Sequence, residues 1–244
     1  MGRECRPLTA VEVGQVLTAL GKTDKPKRNR CIFMMMLLTG ERPGAVLKLT
    51  IGDVMHGKRI DTHVSFRAKT RKGTKDTVVK KGKLPKGAQS KGKGIGKAKN
   101  RRFLISVELR DELFAWLNEL IYEWEINLKS NPLFPAARWS NNARDLSYKA
   151  WYKLFKGILE NLGIHGDLFG TAAPYSVRKG FVEGMGESLD RVVPGTPSEQ
   201  KLNTMMSITG HKSADSLLKY IPRRTENTAA ALADYEKRML HYAR

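Results

Sequence analysis

Residues 37–54 read LLTGERPGAVLKLTIGDV, and the punctuation of this stretch organises the rest of the chain. Gly40 stands after an apolar run, where a glycine can close a helix in the left-handed region. Pro43 stands where a new helix can begin without losing a needed N–H. The reading predicts one helix ending at Gly40 and another running from Pro43 through Leu49, with Arg42 in the break between them. Upstream, the nearly all-apolar residues 29–38 form a helix buried on most sides, part of the core. Before that, Thr9-Ala10-Val11-Glu12 is a capping box, with Leu8 and Val13 spaced as a hydrophobic staple, so a helix spans 10–20 and residues 22–30 are a basic connector.

Downstream, residues 59–67 alternate and are β-branched, which predicts a strand, and 102–107 supply its partner. Between the strands the composition changes sharply. Residues 67–102 hold 15 Lys or Arg against one acid, Asp76, a net +14 out of the chain's +20. Apolar residues at helical spacing, Leu113, Trp116, Leu117, Leu120 and Trp124, predict a helix over 109–124. Trp151, Leu154, Phe155 and Ile158 predict another over 148–162. Residues 130–144 and 190–198 read as loops. Thr225 caps a closing helix whose stripe of Leu232, Tyr235, Met239 and Tyr242 is suited to docking on a neighbouring protomer. The order of elements implies an α+β class, mostly helical with a small antiparallel β-sheet inserted early. The GKGIGK stretch at 92–97 lacks the strand before and helix after that a nucleotide-binding loop requires.

Composition narrows the function. A pI near 10.1 on 244 residues points to a polyanionic partner, with nucleic acid first. The longest apolar run, 31–38, is too short for a bilayer, which takes about 20 residues, and the first ten residues lack a signal peptide's apolar region. A cytoplasmic or nuclear protein, not secreted, is expected. Cys5 and Cys31 make no disulfide framework, and neither they nor the five histidines have metal-ligand spacing. Neither a metal nor a small-molecule cofactor is expected.

Two further stretches join the first: PYSVRKGF at 174–181, with Arg178, and ITGHKSADSLLKY at 208–220, with His211 and Tyr220. Together the three resemble the motifs of the catalytic domain of tyrosine recombinases, also called phage integrases, in that family's order and over nearly the whole chain. Arg42 and Asp53 fit the first arginine motif, Arg178 the second, and His211 and Tyr220 the histidine and nucleophile motif. The basic strand pair resembles the hairpin that carries the family's catalytic lysine. Lys69 in RAKT occupies that place, with Lys72 and Lys75 as alternatives. The chain departs from the family's pattern at Tyr175, where a His or Lys is usual and where some telomere-resolving relatives have Tyr, and at Ala45, where an acid is common. The family's N-terminal core-binding domain is missing from residues 1–244, which are expected to form a single catalytic domain.

The chemistry gives each residue type its own reason. A phosphodiester in mid-displacement gathers charge on its non-bridging oxygens, and guanidinium groups can hydrogen-bond those oxygens in pairs while staying charged at any working pH. Arg42 and Arg178 suit that role. Tyr220 is the expected nucleophile, its phenol needing nearby cations to attack at neutral pH. His211 is a donor or proton carrier, Lys69 the general acid for the leaving 5′ oxygen, and Tyr175 a further member of the catalytic set. Arg67, Arg71, Lys72, Lys75, Lys80, Lys81 and Lys212 are expected to contact DNA, giving affinity more than sequence specificity.

The resemblance implies cleavage of double-stranded DNA through a 3′-phosphotyrosine intermediate, without metal or ATP, by a dimer or tetramer assembled on DNA. Three readings stand: a site-specific recombinase or integrase, a telomere resolvase or type IB topoisomerase-like enzyme, and a non-catalytic DNA- or RNA-binding protein.

Overall fold

In the computed structural model of the chain, the described residues are 5–67, 100–137, 144–166, 170–192, 195, 197–209, 214 and 217. They divide into two units, Met1–Gly184 and Met185–Arg244. Within the first, α1 (Ala10–Leu20) starts as its capping box dictates. The Glu12 N–H donates to Thr9 Oγ1 at 3.2 Å and the Thr9 N–H to Glu12 Oε2 at 2.8 Å. Helix α2 covers Pro26–Thr39, three residues earlier than the apolar run suggests. Pro26 is at its first position, where a missing N–H costs nothing, so part of the expected basic connector is helical. Pro43–Val46 form a single short turn, α3, and Ile51–Asp53 a 3₁₀ turn, in place of one helix through Leu49.

The expected strand over 59–67 is divided. Gly57, at φ 60°, turns β2 (Arg59–Ile60) back on β1 (Met55–His56), and the Asp61 N–H extends that pairing by donating to Val54 O at 2.9 Å. Strand β3 (His63–Phe66) then pairs antiparallel with β4 (Arg101–Leu104), Phe66 opposite Arg101, as the sequence predicts for the basic hairpin's base. Helix α4 (Val107–Asn118) begins with Ser106 accepting from the Leu109 N–H. Its continuation, Glu119–Glu123, is a π-turn, closed by Trp124 N–H to Glu119 O at 3.0 Å, with Trp124 edge-on to Trp116. Helix α5 (Tyr148–Asn161) is capped by Ser147, and α6 spans Pro174–Val192.

Helix α2 lies at the centre of the core, against α1, α3 and α4. Phe33 stacks on Phe155 of α5 at 5.8 Å, and Phe33, Trp116, Trp151 and Phe155 are fully buried. Each such side chain removed from water contributes about 1.5–3 kcal/mol. The stretch 129–136 is irregular but fixed. Leu133 N–H donates to Leu49 O, Trp116 Nε1 to Leu133 O, and Arg28 Nη1 to Pro135 O at 2.9 Å. Burial lowers the Arg28 pKa to about 10, and the Asn29 amide oxygen and two backbone carbonyls satisfy its donors. A charge inside the protein needs such partners, so Arg28 ties α2 to this stretch.

In the second unit, α7 (Ser198–Thr209) buries Met205 and Thr209, and Leu217 is also fully buried. The sequence reading did not anticipate α7. The expected loop at 190–198 is shorter than predicted, because α6 extends to Val192 and α7 begins at Ser198. The closing helix expected after Thr225 lies outside the described residues, as does 92–97. Among the described residues, no helix is long and apolar enough to cross a membrane.

Candidate active site

The site is built on the break between α2 and α3. Gly40 ends α2 at φ 60°, ψ 13°, its N–H donating to Met36 O at 3.0 Å. Pro43 disfavours helical geometry in the residue before it, and Arg42 accordingly sits extended at φ −65°, ψ 141°. The Arg42 carbonyl accepts from the Ala45 and Val46 N–H groups at 2.8 and 3.1 Å, so its backbone is held by the start of α3. Residues 39–42 are a fixed corner.

One face of α6 reads this corner. Tyr175, Arg178 and Phe181 recur at i, i+3 and i+6, which puts them on the same side of the helix. The Arg42 Nε–H donates to the Tyr175 hydroxyl at 3.0 Å. Arg178, only 1% exposed, donates from Nη1 to the Gly40 carbonyl, one of the groups a helix C-terminus leaves without an intrahelical partner. Phe181 covers Gly40 so closely that a Cβ there would come within 2.0 Å of its ring. Two arginines separated by 136 residues in the chain thus meet at one turn. Buried Ser176 braces the start of α6, its Oγ accepting from the Ala173 N–H at 3.0 Å.

The basic hairpin is anchored beside the same corner. Glu41, 1% exposed, accepts from Arg101 Nη1 of β4 at 3.0 Å, and its Oε2 also accepts from the Arg42 N–H at 3.3 Å. At the end of β3, Arg67 is held by Asp53 at 2.9 Å from Nε and 2.6 Å from Nη2, and also donates to Thr50 Oγ1. The hydrogen bonds to Asp53 raise the Arg67 pKa. Asp53 in turn accepts from the Thr50 N–H at 2.8 Å.

Of the residues singled out from the sequence, Arg42, Tyr175 and Arg178 come together. Arg67 lies against Asp53. Lys69, Arg71, Lys72, Lys75, Lys80, Lys81, His211, Lys212 and Tyr220 lie outside the described residues. Sequence reasoning missed Glu41, Arg101 and Phe181. An acid in an otherwise apolar and basic corner, and an aromatic one turn after Arg178, were the available signals. Among the described residues, no group of three His, Cys, Asp or Glu is placed to hold a metal ion.

The fold defines a class. Among solved structures, the chain is similar to the XerH site-specific recombinase bound to a palindromic difH substrate in a post-cleavage complex. That match has a TM-score of 0.59 and 18% identity, covering 97% of this chain and 54% of the other. XerA recombinase matches at 0.57 and 16% identity, over 94% and 63%. The Tn1549 transposon integrase in complex with transposon right-end DNA matches at 0.57 and 17%, over 94% and 65%. The chain spans roughly half to two thirds of the length of these proteins. No protein-family model and no curated protein matches the sequence. The fold is that of the tyrosine recombinase catalytic domain, α+β and mostly helical with small antiparallel sheets, as the motifs led us to expect.

Proposed function

We propose that the chain is a site-specific DNA recombinase or integrase that cleaves and rejoins double-stranded DNA through a 3′-phosphotyrosine at Tyr220. One observation carries this reading: Arg42 and Arg178 converge on the corner at 39–42, with the Tyr175 hydroxyl on the first and the Gly40 carbonyl on the second. Two guanidiniums, one held by the half-buried Tyr175 hydroxyl and one by the buried Gly40 carbonyl, suit the non-bridging oxygens of a phosphodiester. XerH and the Tn1549 integrase, each in complex with DNA, have the same fold.

In this reading the Tyr220 oxygen bonds to phosphorus as the P–O5′ bond breaks. The phenolic proton leaves by way of His211, and O5′ departs with a proton from the Lys69 ammonium. The phosphotyrosine conserves the bond energy, so a 5′ hydroxyl can reverse the step without ATP or metal. Arg67, Arg71, Lys72, Lys75, Lys80, Lys81 and Lys212 neutralise phosphates, and the chain acts as a homo-oligomer on DNA. The test is incubation of the full chain with nicked suicide duplexes of candidate sites in EDTA, resolved on a denaturing gel. A protein–DNA adduct lost in Tyr220→Phe supports the proposal. Binding without any adduct would leave a DNA-binding protein in its place.

A further inference from the structure

Two ion pairs at the base of the basic hairpin join it to the arginine-bearing segment. Arg67, directly after β3, and Arg101, the first residue of β4, stand on either side of residues 68–99, and Phe66 and Arg101 are register partners. Each is bound to an acid from the stretch that supplies Arg42: Arg101 to Glu41 at 3.0 Å, Arg67 to Asp53 at 2.6 Å. Both acids are buried, at 1% and 8% exposure. Glu41 is adjacent to Arg42 in the chain and accepts from its N–H. Arg101 is also fixed from its other side, its guanidinium carbon lying 4.1 Å from the Phe103 ring, which in turn meets Phe66 edge-on.

A surface ion pair would contribute little, but these carboxylates are desolvated, and a buried charge that loses its partner is strongly unfavourable. The pairs therefore hold the hairpin ends in one place relative to Arg42. A long basic segment could bind phosphates from many positions. Protonating one leaving oxygen demands a single position.

We propose that the Glu41–Arg101 and Asp53–Arg67 pairs are a two-point latch that aligns the base of the basic hairpin with Arg42, making Glu41 and Asp53 positioning residues for the step that protonates the leaving 5′ oxygen. This rests on the phosphotyrosine reading above. In that step the P–O(Tyr) bond forms, the P–O5′ bond breaks, and a lysine ammonium delivers its proton to O5′ and becomes an amine.

The leaving group separates positioning from folding. Replacing the bridging 5′ oxygen by sulfur gives a thiolate that departs without a proton, so a variant impaired only in general-acid alignment regains speed on that substrate. Cleavage rates of the full chain are measured on matched suicide duplexes with a 5′-bridging oxygen or sulfur. Glu41→Gln and Asp53→Asn are expected to lose on the order of 10- to 100-fold on oxygen, part of the roughly 10²–10⁴ that general-acid catalysis supplies. On sulfur they should come within about threefold of wild type, while Arg42→Lys should stay slow on both, since its loss falls on the phosphate.

Equal deficits on oxygen and sulfur in variants that keep a cooperative melt would overturn the latch. If a single substitution prevents folding, the double Glu41→Gln/Arg101→Gln, which removes both charges of the pair together, and Arg101→Lys are read by the same comparison. An absence of adduct with wild-type protein on either substrate would instead remove the phosphotyrosine reading, and the latch with it.

Discussion

At the scale of single residues, Gly40 and Arg178 show why the site is rigid. Gly40 combines a left-handed backbone with a ring pressed against its α-carbon, so Gly40→Ala adds both strain and overlap with Phe181. The expected cost is about 2–4 kcal/mol, against almost none for Gly44→Ala, where a Cβ meets nothing within 4 Å. Urea melts of the two variants check this, and equal midpoints would mean the contact with Phe181 is not maintained. Arg178 lies in the wall of the site, one nitrogen on the end of α2. Arg178→Lys and Arg42→Lys keep a positive charge but lose the planar fork, and each is expected to slow cleavage on the order of 10²–10³-fold. Single-turnover adduct formation measures it, and a loss below about threefold would take the arginines off the phosphate.

At the scale of elements, legibility followed the physics of each signal. Helix α1 was readable to the residue because its start is a local hydrogen-bond device in consecutive side chains. The β3–β4 pairing was readable from alternation. The π-turn after Asn118 was not, since periodicity alone does not distinguish a helix that widens from one that continues. Nor were the pairs Glu41–Arg101 and Asp53–Arg67 readable, because they depend on which loop faces which strand. Arg42, Tyr175 and Arg178 were visible as motif positions, but the Arg42–Tyr175 contact and the Arg178 contact with Gly40 were not. The α1 cap also carries a pH signature. Hydrogen bonding from Arg6, foremost, holds the Glu12 carboxyl below its ordinary value of 4.5. A carboxylate whose folded pKa is depressed contributes stability above its unfolded pKa, and that contribution is lost as pH falls through the folded value. Glu12→Gln should therefore lower the thermal midpoint at pH 7, and the gap to wild type should narrow below about pH 4. A gap independent of pH would show that the ionised pair with Arg6 is not what stabilises the cap.

At the scale of the whole molecule, charge is the dominant fact. Net charge of +14 lies in residues 67–102, whose ends are fixed beside the arginine corner. Phosphate neutralisation by that segment predicts a steep decline of DNA affinity with salt, and deletion of residues 73–97 should flatten the slope of log Kd against log salt concentration. An unchanged slope would move phosphate binding to other surfaces. Removal of the residues after Thr225 should impair assembly on DNA more than single-turnover cleavage if that segment docks on a second protomer. Equal loss of both would place its role within one protomer.

The central claim is a covalent bond, and it can be read directly. The adduct formed on a suicide duplex is digested with trypsin and nuclease, and the remaining nucleotide-bearing peptide is sequenced by mass spectrometry. The account predicts a 3′-phosphoryl linkage on the oxygen of Tyr220, formed in EDTA and absent from Arg42→Lys and Arg178→Lys at matched times. A linkage on another residue, or cleavage that leaves free ends and requires a divalent metal, would contradict it.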